Sequence, residues 1–149
     1  MAVRIQAEPF DTGAEITRLT AGREDVGAIV TFTGLCRADG ETGTISAMTL
    51  EHFPGMAEEQ LGRLEQEARD RWPLLDCLIV HRYGRLVPGD PIVLVAALSA
   101  HRAAAFSAAD FLMDYLKTSA PFWKQEETDH GAKWVDAKAQ DDAARDRWS

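Results

Sequence analysis

The sequence has only two cysteines, Cys36 and Cys77, in 149 residues. They form neither a Cys-x-x-Cys pair nor the framework of a disulfide scaffold. Long apolar runs are also missing. The longest, Ile92 to Leu98, suits a buried strand and falls far short of the ~20 residues that cross a bilayer. The opening MAVRIQAEPF lacks the basic-then-apolar layout of a signal peptide, so a cytoplasmic location with no membrane partner is expected. Positive charge is scarce. Sixteen Lys and Arg against 24 Asp and Glu give a formal net charge of −8, which argues against nucleic acid, since a phosphate backbone calls for a basic face. The four histidines, His52, His81, His101 and His130, are scattered without ligand spacing, so no metal is expected. There is no Gly-x-Ser-x-Gly, no phosphate-binding loop motif and no dinucleotide fingerprint, and no cofactor is expected.

What is present is an ordinary globular balance, 46% hydrophobic and 27% charged. Val3 to Glu8 alternates like a half-buried strand, and Asp11 or Thr12 can cap a short helix towards Leu19. Gly27 to Gly34 is a strand rich in β-branched residues, followed by a polar loop from Leu35 to Thr44. Ile45 to His52 alternates again, with Ile45, Ala47, Thr49 and Glu51 opposite Met48 and Leu50. Ala57, Leu61, Leu64, Ala68 and Trp72 recur at helical spacing, with Glu58, Glu59, Arg63, Glu65 and Arg69 on the polar face, until Pro73 stops the helix. Cys77 to Arg82 and Pro91 to Leu98 are two further strands joined through Val87-Pro-Gly-Asp90. Cys77 opens an apolar stretch and reads as a buried small hydrophobe. Ser99 then caps a helix with an apolar stripe of Ala105, Ala109, Leu112 and Leu116, ended by Pro121. From Phe122 the pattern weakens to tryptophans among charges, with one turn at His130-Gly131. The expected fold is one α+β domain over residues 1–149, with mostly antiparallel pairing and two main helices.

An acidic protein that binds an anion must gather its few cations locally. Ser99-Ala-His-Arg102 sets two potential cations in the first turn of a helix, an end that already carries about half a positive charge. That makes sense where an anion sits, with backbone amides and Arg102 both donating to it. Two solvated side chains on an exposed turn is the other reading. Arg37 enters the polar loop and alone would be a surface arginine; Cys36 beside it would be an incidental thiol. Lys117 lies in the last turn of the long helix, where a cation suits the dipole anyway. Lys124 follows Pro121-Phe122-Trp123. An apolar, water-poor setting there would favour a neutral amine able to act as acid, base or nucleophile, and a lysine snorkelling past a tryptophan has the same sequence.

Several ordered stretches together resemble the molybdopterin synthase large, catalytic subunit family. They are Val30-Thr-Phe-Thr-Gly34 with Arg37, Leu50-Glu-His-Phe-Pro-Gly-Met56, Arg71-Trp-Pro73, His81-Arg-Tyr-Gly84, Pro88-Gly-Asp90, Ser99-Ala-His-Arg102, Met113 to Thr118, and Ala120-Pro-Phe-Trp-Lys124. The match runs from about Gly27 to Trp134 and is most specific from Met113 to Lys124. The resemblance implies an α/β-hammerhead-like fold and a sulfurtransferase of molybdenum cofactor biosynthesis. Sulfur would pass from the C-terminal thiocarboxylate of a small ubiquitin-like subunit to cyclic pyranopterin monophosphate, building the dithiolene in two additions. It further implies a homodimer at the centre of a heterotetramer. Lys117 and Lys124 match the family's catalytic lysines. Arg37, His101 and Arg102 match its phosphate and pterin contacts, and Leu35, Cys36, Gln125 and Glu126 match pocket-lining positions. The family often has a basic residue where this chain has Leu35, so a charge contact there is lost; Lys138 is a further basic candidate.

Geometry adds a constraint. A helix from His101 to Lys117 has about 16 residues and is ~24 Å long, too far for both ends to reach one small substrate. A site shared across a two-fold dimer is therefore expected. Two other readings stay open: a non-catalytic module that docks a ubiquitin-like tail, and an unrelated phosphate-ester transferase using the same basic cluster.

Overall fold

The computed structural model describes residues 2–40, 43–118, 121–135 and 139–149. In chain order the elements are β1 (Ala2–Gln6), α1 (Thr12–Thr20), β2 (Ala28–Leu35), β3 (Asp39–Gly40), β4 (Gly43–His52), α2 (Met56–Arg71), β5 (Leu74–Arg82), β6 (Gly84–Leu86), β7 (Pro91–Ser99), α3 (Arg102–Thr118), β8 (Phe122–Thr128), β9 (Gly131–Val135) and α4 (Ala139–Asp146). The fold is α+β, as expected. Only β1 and β5 pair in parallel; every other pairing among the described residues is antiparallel.

One sheet has the order β1-β5-β7-β2. Its inner strands are buried on both faces, which is why β5 and β7 read as nearly unbroken apolar runs. Period-two alternation then divides them. Cys77, Ile79, Val95 and Ala97 meet Leu61 and Ala68 of α2 and Ala108, Phe111 and Leu112 of α3. Leu78, Val80, Leu94, Ala96 and Leu98 meet Leu19 of α1 on the opposite face. Phe111 is fully buried, and Trp72, just past the end of α2, meets its edge at 5.3 Å while Trp148 closes the cluster at 5.7 Å. Asp11 accepts from the Ala14 amide and starts α1. The second sheet runs β3-β4-β8-β9, with β6 also on β4. Its small core of Met48, Leu50, Leu86 and Cys36 abuts Ile92 of the first sheet.

Several expectations need correction. Glu65 does not lie on the polar face of α2. It is 6% exposed and lines the core with Leu61 and Ala68, because its position continues the buried four-residue spacing. The alternation of β4 does not persist. Ile45 and Ala47 are buried, but so are Met48 and Leu50, and a register shift between Ile45 and Ala47 breaks the period. The segment after Leu35 contains β3, which folds back on the start of β4. Ser99 is the last residue of β7, not a helix N-cap; its hydroxyl donates to the Pro73 carbonyl and receives the His101 amide at a long 3.4 Å. The region after Phe122 is a β-hairpin followed by α4, which packs on α3. The two expected long helices, α2 and α3, are joined by two short ones.

Candidate active site

The path of β7 and α3 decides where the cations lie. β7 runs from Pro91 to Ser99, the chain reverses at Ala100 and His101, and α3 returns along the sheet. The turn is tight. A Cβ on Gly27 would strike the carbonyl oxygen of Ala100, so glycine at the start of β2 lets the two backbones touch. His101 and Arg102 are exposed at this end. β2 lies antiparallel to β7, with Ala28 opposite Ser99 and Leu35 opposite Pro91, so Arg37 emerges at the far end. Nine residues of β7 separate the two ends by about 27 Å at ~3.4 Å per residue. The 17 residues of α3 cover about 25 Å and deliver Lys117 to the Pro91 end. The charge of Lys117 bears on His81, which sits opposite Val93, in keeping with that placement.

Lys124 joins the same end from β8, opposite Leu50 of β4 and Val135 of β9. Its amine is half-buried and 3.7 Å from Glu126 Oε2. Of the two settings the sequence leaves open for Lys124, a dry apolar pocket or a partly solvated side chain, the half-buried amine with a carboxylate beside it is nearer the second. Side chains alternate along a strand, so Phe122, Lys124 and Glu126 share one face of β8. Trp123, Gln125 and Glu127 take the other, which places the Gln125 side chain away from Lys124. Leu35 is 54% exposed. Cys36 turns inward beside Met48 and Leu50, its amide donating to Asp90 and its carbonyl accepting from Gly89. Burial pushes its thiol up, and the carboxylates of Asp90 and Glu126 add to that against the pull of Lys124. Cys36 is thus a buried thiol in the small core of the second sheet. Cys77 is fully buried, and burial raises its thiol to about 12.

Arg37, Lys117, Lys124 and Glu126 therefore lie toward one end of the first sheet, while His101 and Arg102 lie at the other. Lys138 is outside the described residues. The cleft between α2 and α3, lined by Gln60, Leu61, Arg63, Leu64, Glu67, Tyr115 and Pro121, contains none of these residues. Among the described residues no three His, Cys, Asp or Glu side chains gather as a metal site, and no helix is long and apolar enough to cross a membrane.

A distinction invisible in the sequence concerns which arginines are committed. Arg4 and Arg18 pair with Glu15, Arg23 and Arg69 with Asp76, Arg63 with Glu59, and Arg71 with Glu67. Arg85 pairs with Glu127, Arg145 with Asp146 and Arg147 with Asp114. Arg82 donates to the carbonyls of Ala7 and Pro91. Among the described residues only Arg37 and Arg102 have no carboxylate or carbonyl partner. In a chain of net charge −8, two guanidiniums without an internal acceptor are groups to which an anion could bind.

A second unforeseen feature is an aromatic column beside Lys117. The His81 ring lies 3.8 Å from Phe122 with 13° between the planes, and His52 stands between Phe122 at 5.9 Å and Tyr83 at 4.6 Å. In the sequence, His81-Arg82 and Glu51-His52 are indistinguishable from ordinary strand-end residues.

The family model described as MoaE protein matches residues 5–119. The molybdopterin synthase catalytic subunit of Mesorhizobium japonicum is 57% identical over 148 residues, covering 98% of this chain and 92% of its own length. The solved molybdopterin biosynthesis MoaE protein from Burkholderia ambifaria is 50% identical with a TM-score of 0.84, covering 99% and 98% of the two chains. Molybdopterin synthase from Staphylococcus aureus, 34% identical, superposes with a TM-score of 0.80 over 89% of this chain and 95% of that one. The chain belongs to the MoaE family, that of the molybdopterin synthase catalytic subunits.

Proposed function

We propose that this chain works in the cytoplasm as the catalytic subunit of molybdopterin synthase. It takes sulfur from the C-terminal thiocarboxylate of a small ubiquitin-like carrier and adds it to cyclic pyranopterin monophosphate. Two successive additions form the dithiolene, so a spent carrier leaves and a charged one takes its place. Carrier tail and cyclic phosphate are both anions, and their approach must be offset by cations arranged in advance. Lys117 and Lys124 flank the thiocarboxylate, where an ammonium can stabilise the tetrahedral adduct and protonate a departing oxygen. Glu126 holds Lys124 in place. Leu35 and the backbone around Cys36, Gln125 and Glu126 line the approach.

The observation that carries this reading is the pair of uncommitted guanidiniums at opposite ends of the molecule. Arg37 stands with the lysines, while Arg102 stands with His101 about 25 Å away along α3. One substrate engages both only when two copies meet, so the site is composite: His101 and Arg102 of one protomer face Arg37, Lys117 and Lys124 of its partner. The assembly is a central dimer of this chain with a carrier at each end.

Mixing inactive His101→Ala and Lys117→Ala proteins tests this directly. Hybrid dimers given thiocarboxylated carrier and the cyclic pterin phosphate regain dithiolene formation, because one of their two sites is intact. Hybrids that demonstrably form yet stay inactive would refute the shared site. Carrier binding without turnover by the unmodified protein would instead mark a docking module, and phosphate release without sulfur incorporation a phosphate-ester transferase.

A further inference from the structure

We propose that His81 is a positioning residue for sulfur transfer: its ring braces Phe122 and thereby holds Lys124 of β8 against Lys117 of α3. The proposal rests on the reading that these two lysines carry the reaction. His81 lies near the end of β5, in the first sheet, while Phe122 opens β8 in the second. Their near-parallel rings, with centroids 3.8 Å apart, bridge the sheets, close enough to Lys117 for its charge to bear on His81. Phe122 and Lys124 lie two residues apart on the same face of one strand, so a shift of β8 that follows loss of the stack would carry both.

The histidine is built to do this without adding charge. Its Nδ1 is 2.8 Å from the Arg82 carbonyl oxygen, which can only accept, so Nδ1 carries the hydrogen. A second proton would create a cation in a site that is 7% exposed. Burial pushes its pKa down to about 4, against the help of the Arg82 carbonyl, and the charges of Lys117 and His52 push the same way. The guanidinium of Arg82 points elsewhere, donating to Ala7 and Pro91. His81 is thus a flat, neutral plate at neutral pH, able to stack on Phe122 without adding a cation near Lys117. His52 supports the other side of Phe122 and completes the column to Tyr83.

The test is steady-state turnover of the purified dimer with thiocarboxylated carrier and cyclic pterin phosphate. His81→Leu removes the stacking partner, and Phe122→Leu removes the same stack from the other side. Each lowers kcat by about tenfold or more while the KM for carrier changes by no more than about twofold, since small misplacements of a reacting group are costly. His81→Phe keeps a ring on Phe122 and restores kcat to within about threefold of the unmodified protein. In a Lys124→Ala background, His81→Leu has little further effect, because both changes act through one lysine. A merely structural role would reduce the folded fraction but not kcat per folded dimer, and would show no such coupling. A folded His81→Leu dimer with unchanged kcat overturns the proposal, as does a His81→Phe dimer as slow as His81→Leu. If His81→Leu does not fold, the kcat of Phe122→Leu decides in its place. Lys117→Ala and Lys124→Ala run alongside: full rates in both overturn the underlying reading and this proposal together. Loss in both, with His81→Leu unaffected, overturns the positioning role alone.

Discussion

Replacing Glu65 with glutamine should make the protein more stable at neutral and mildly alkaline pH, and the size of the gain follows from where the side chain sits. Glu65 lies on the inner face of α2, 6% exposed, and its Oε2 has no hydrogen-bond partner. Burial raises its pKa from 4.5 to about 7; the charge of Arg69 and the Ala2 amide resist that rise, and Asp76 adds to it. The folded state thus keeps a proton that the unfolded chain has released. Between pH 4.5 and about 7 the folded state binds more protons, so stability falls as pH rises through that window and levels off above it. The gap between 4.5 and about 7, at about 1.4 kcal/mol per pH unit, is worth about 3 kcal/mol in all. Glutamine keeps the shape and cannot ionise, so that fall disappears. Glu15 and Asp76 act in the opposite sense. Burial raises each, but Arg18 and Arg4 outweigh it at Glu15, as the Cys77 amide together with surrounding positive charge does at Asp76. Their contributions are lost as pH falls below the ordinary carboxylate range, outside the Glu65 window. Urea unfolding of both proteins from about pH 4.5 to about pH 8 isolates the effect as a difference of slopes. Parallel stability curves for the two across that range would refute the reasoning, since Glu65 would then be ionised equally in both states.

Two further outcomes are expected. Gly27→Ala drives a methyl into the Ala100 carbonyl, so it should cost about 1–3 kcal/mol in urea unfolding and reduce turnover by displacing His101 and Arg102; unchanged stability and rate would show that the two backbones can part freely. Phe111→Ala empties a fully buried site beneath Trp72 and Trp148 and should cost about 3–5 kcal/mol; a loss below about 1 kcal/mol would mean that the cluster collapses to fill the space.

The elements legible in the sequence are those whose local pattern and tertiary role agree. β5 and β7 announce burial on both faces through unbroken apolar runs, and α3 presents Ala105, Ala109, Leu112 and Leu116 at core spacing. Glu65 misleads because its residue type argues for solvent while its position argues for the core, and the Ala2 amide that meets it lies far away in the chain. The hairpin of β8 and β9 is hidden because Lys124, Gln125, Glu126 and Glu127 put polar groups on both faces of β8, which erases the alternation that reveals a strand. At the candidate site, the separation of Arg102 from Lys117 can be read from helix length alone. Which cations are committed cannot. Arg85 finds Glu127 across 42 residues and Arg23 finds Asp76 across 53, pairings that only the fold creates.

The reversal between β7 and α3 also works as a ruler. One rigid rod connects Lys117 with Arg102, so in the shared site proposed above its length would set the spacing between the two reaction centres. Loop insertions elsewhere leave that gauge intact. Deleting four residues within α3 would shorten it by about 6 Å and turn one end against the other by about 40°, pulling both proposed centres out of alignment at a stroke. Chain-length variation among functional relatives should therefore collect outside this helix.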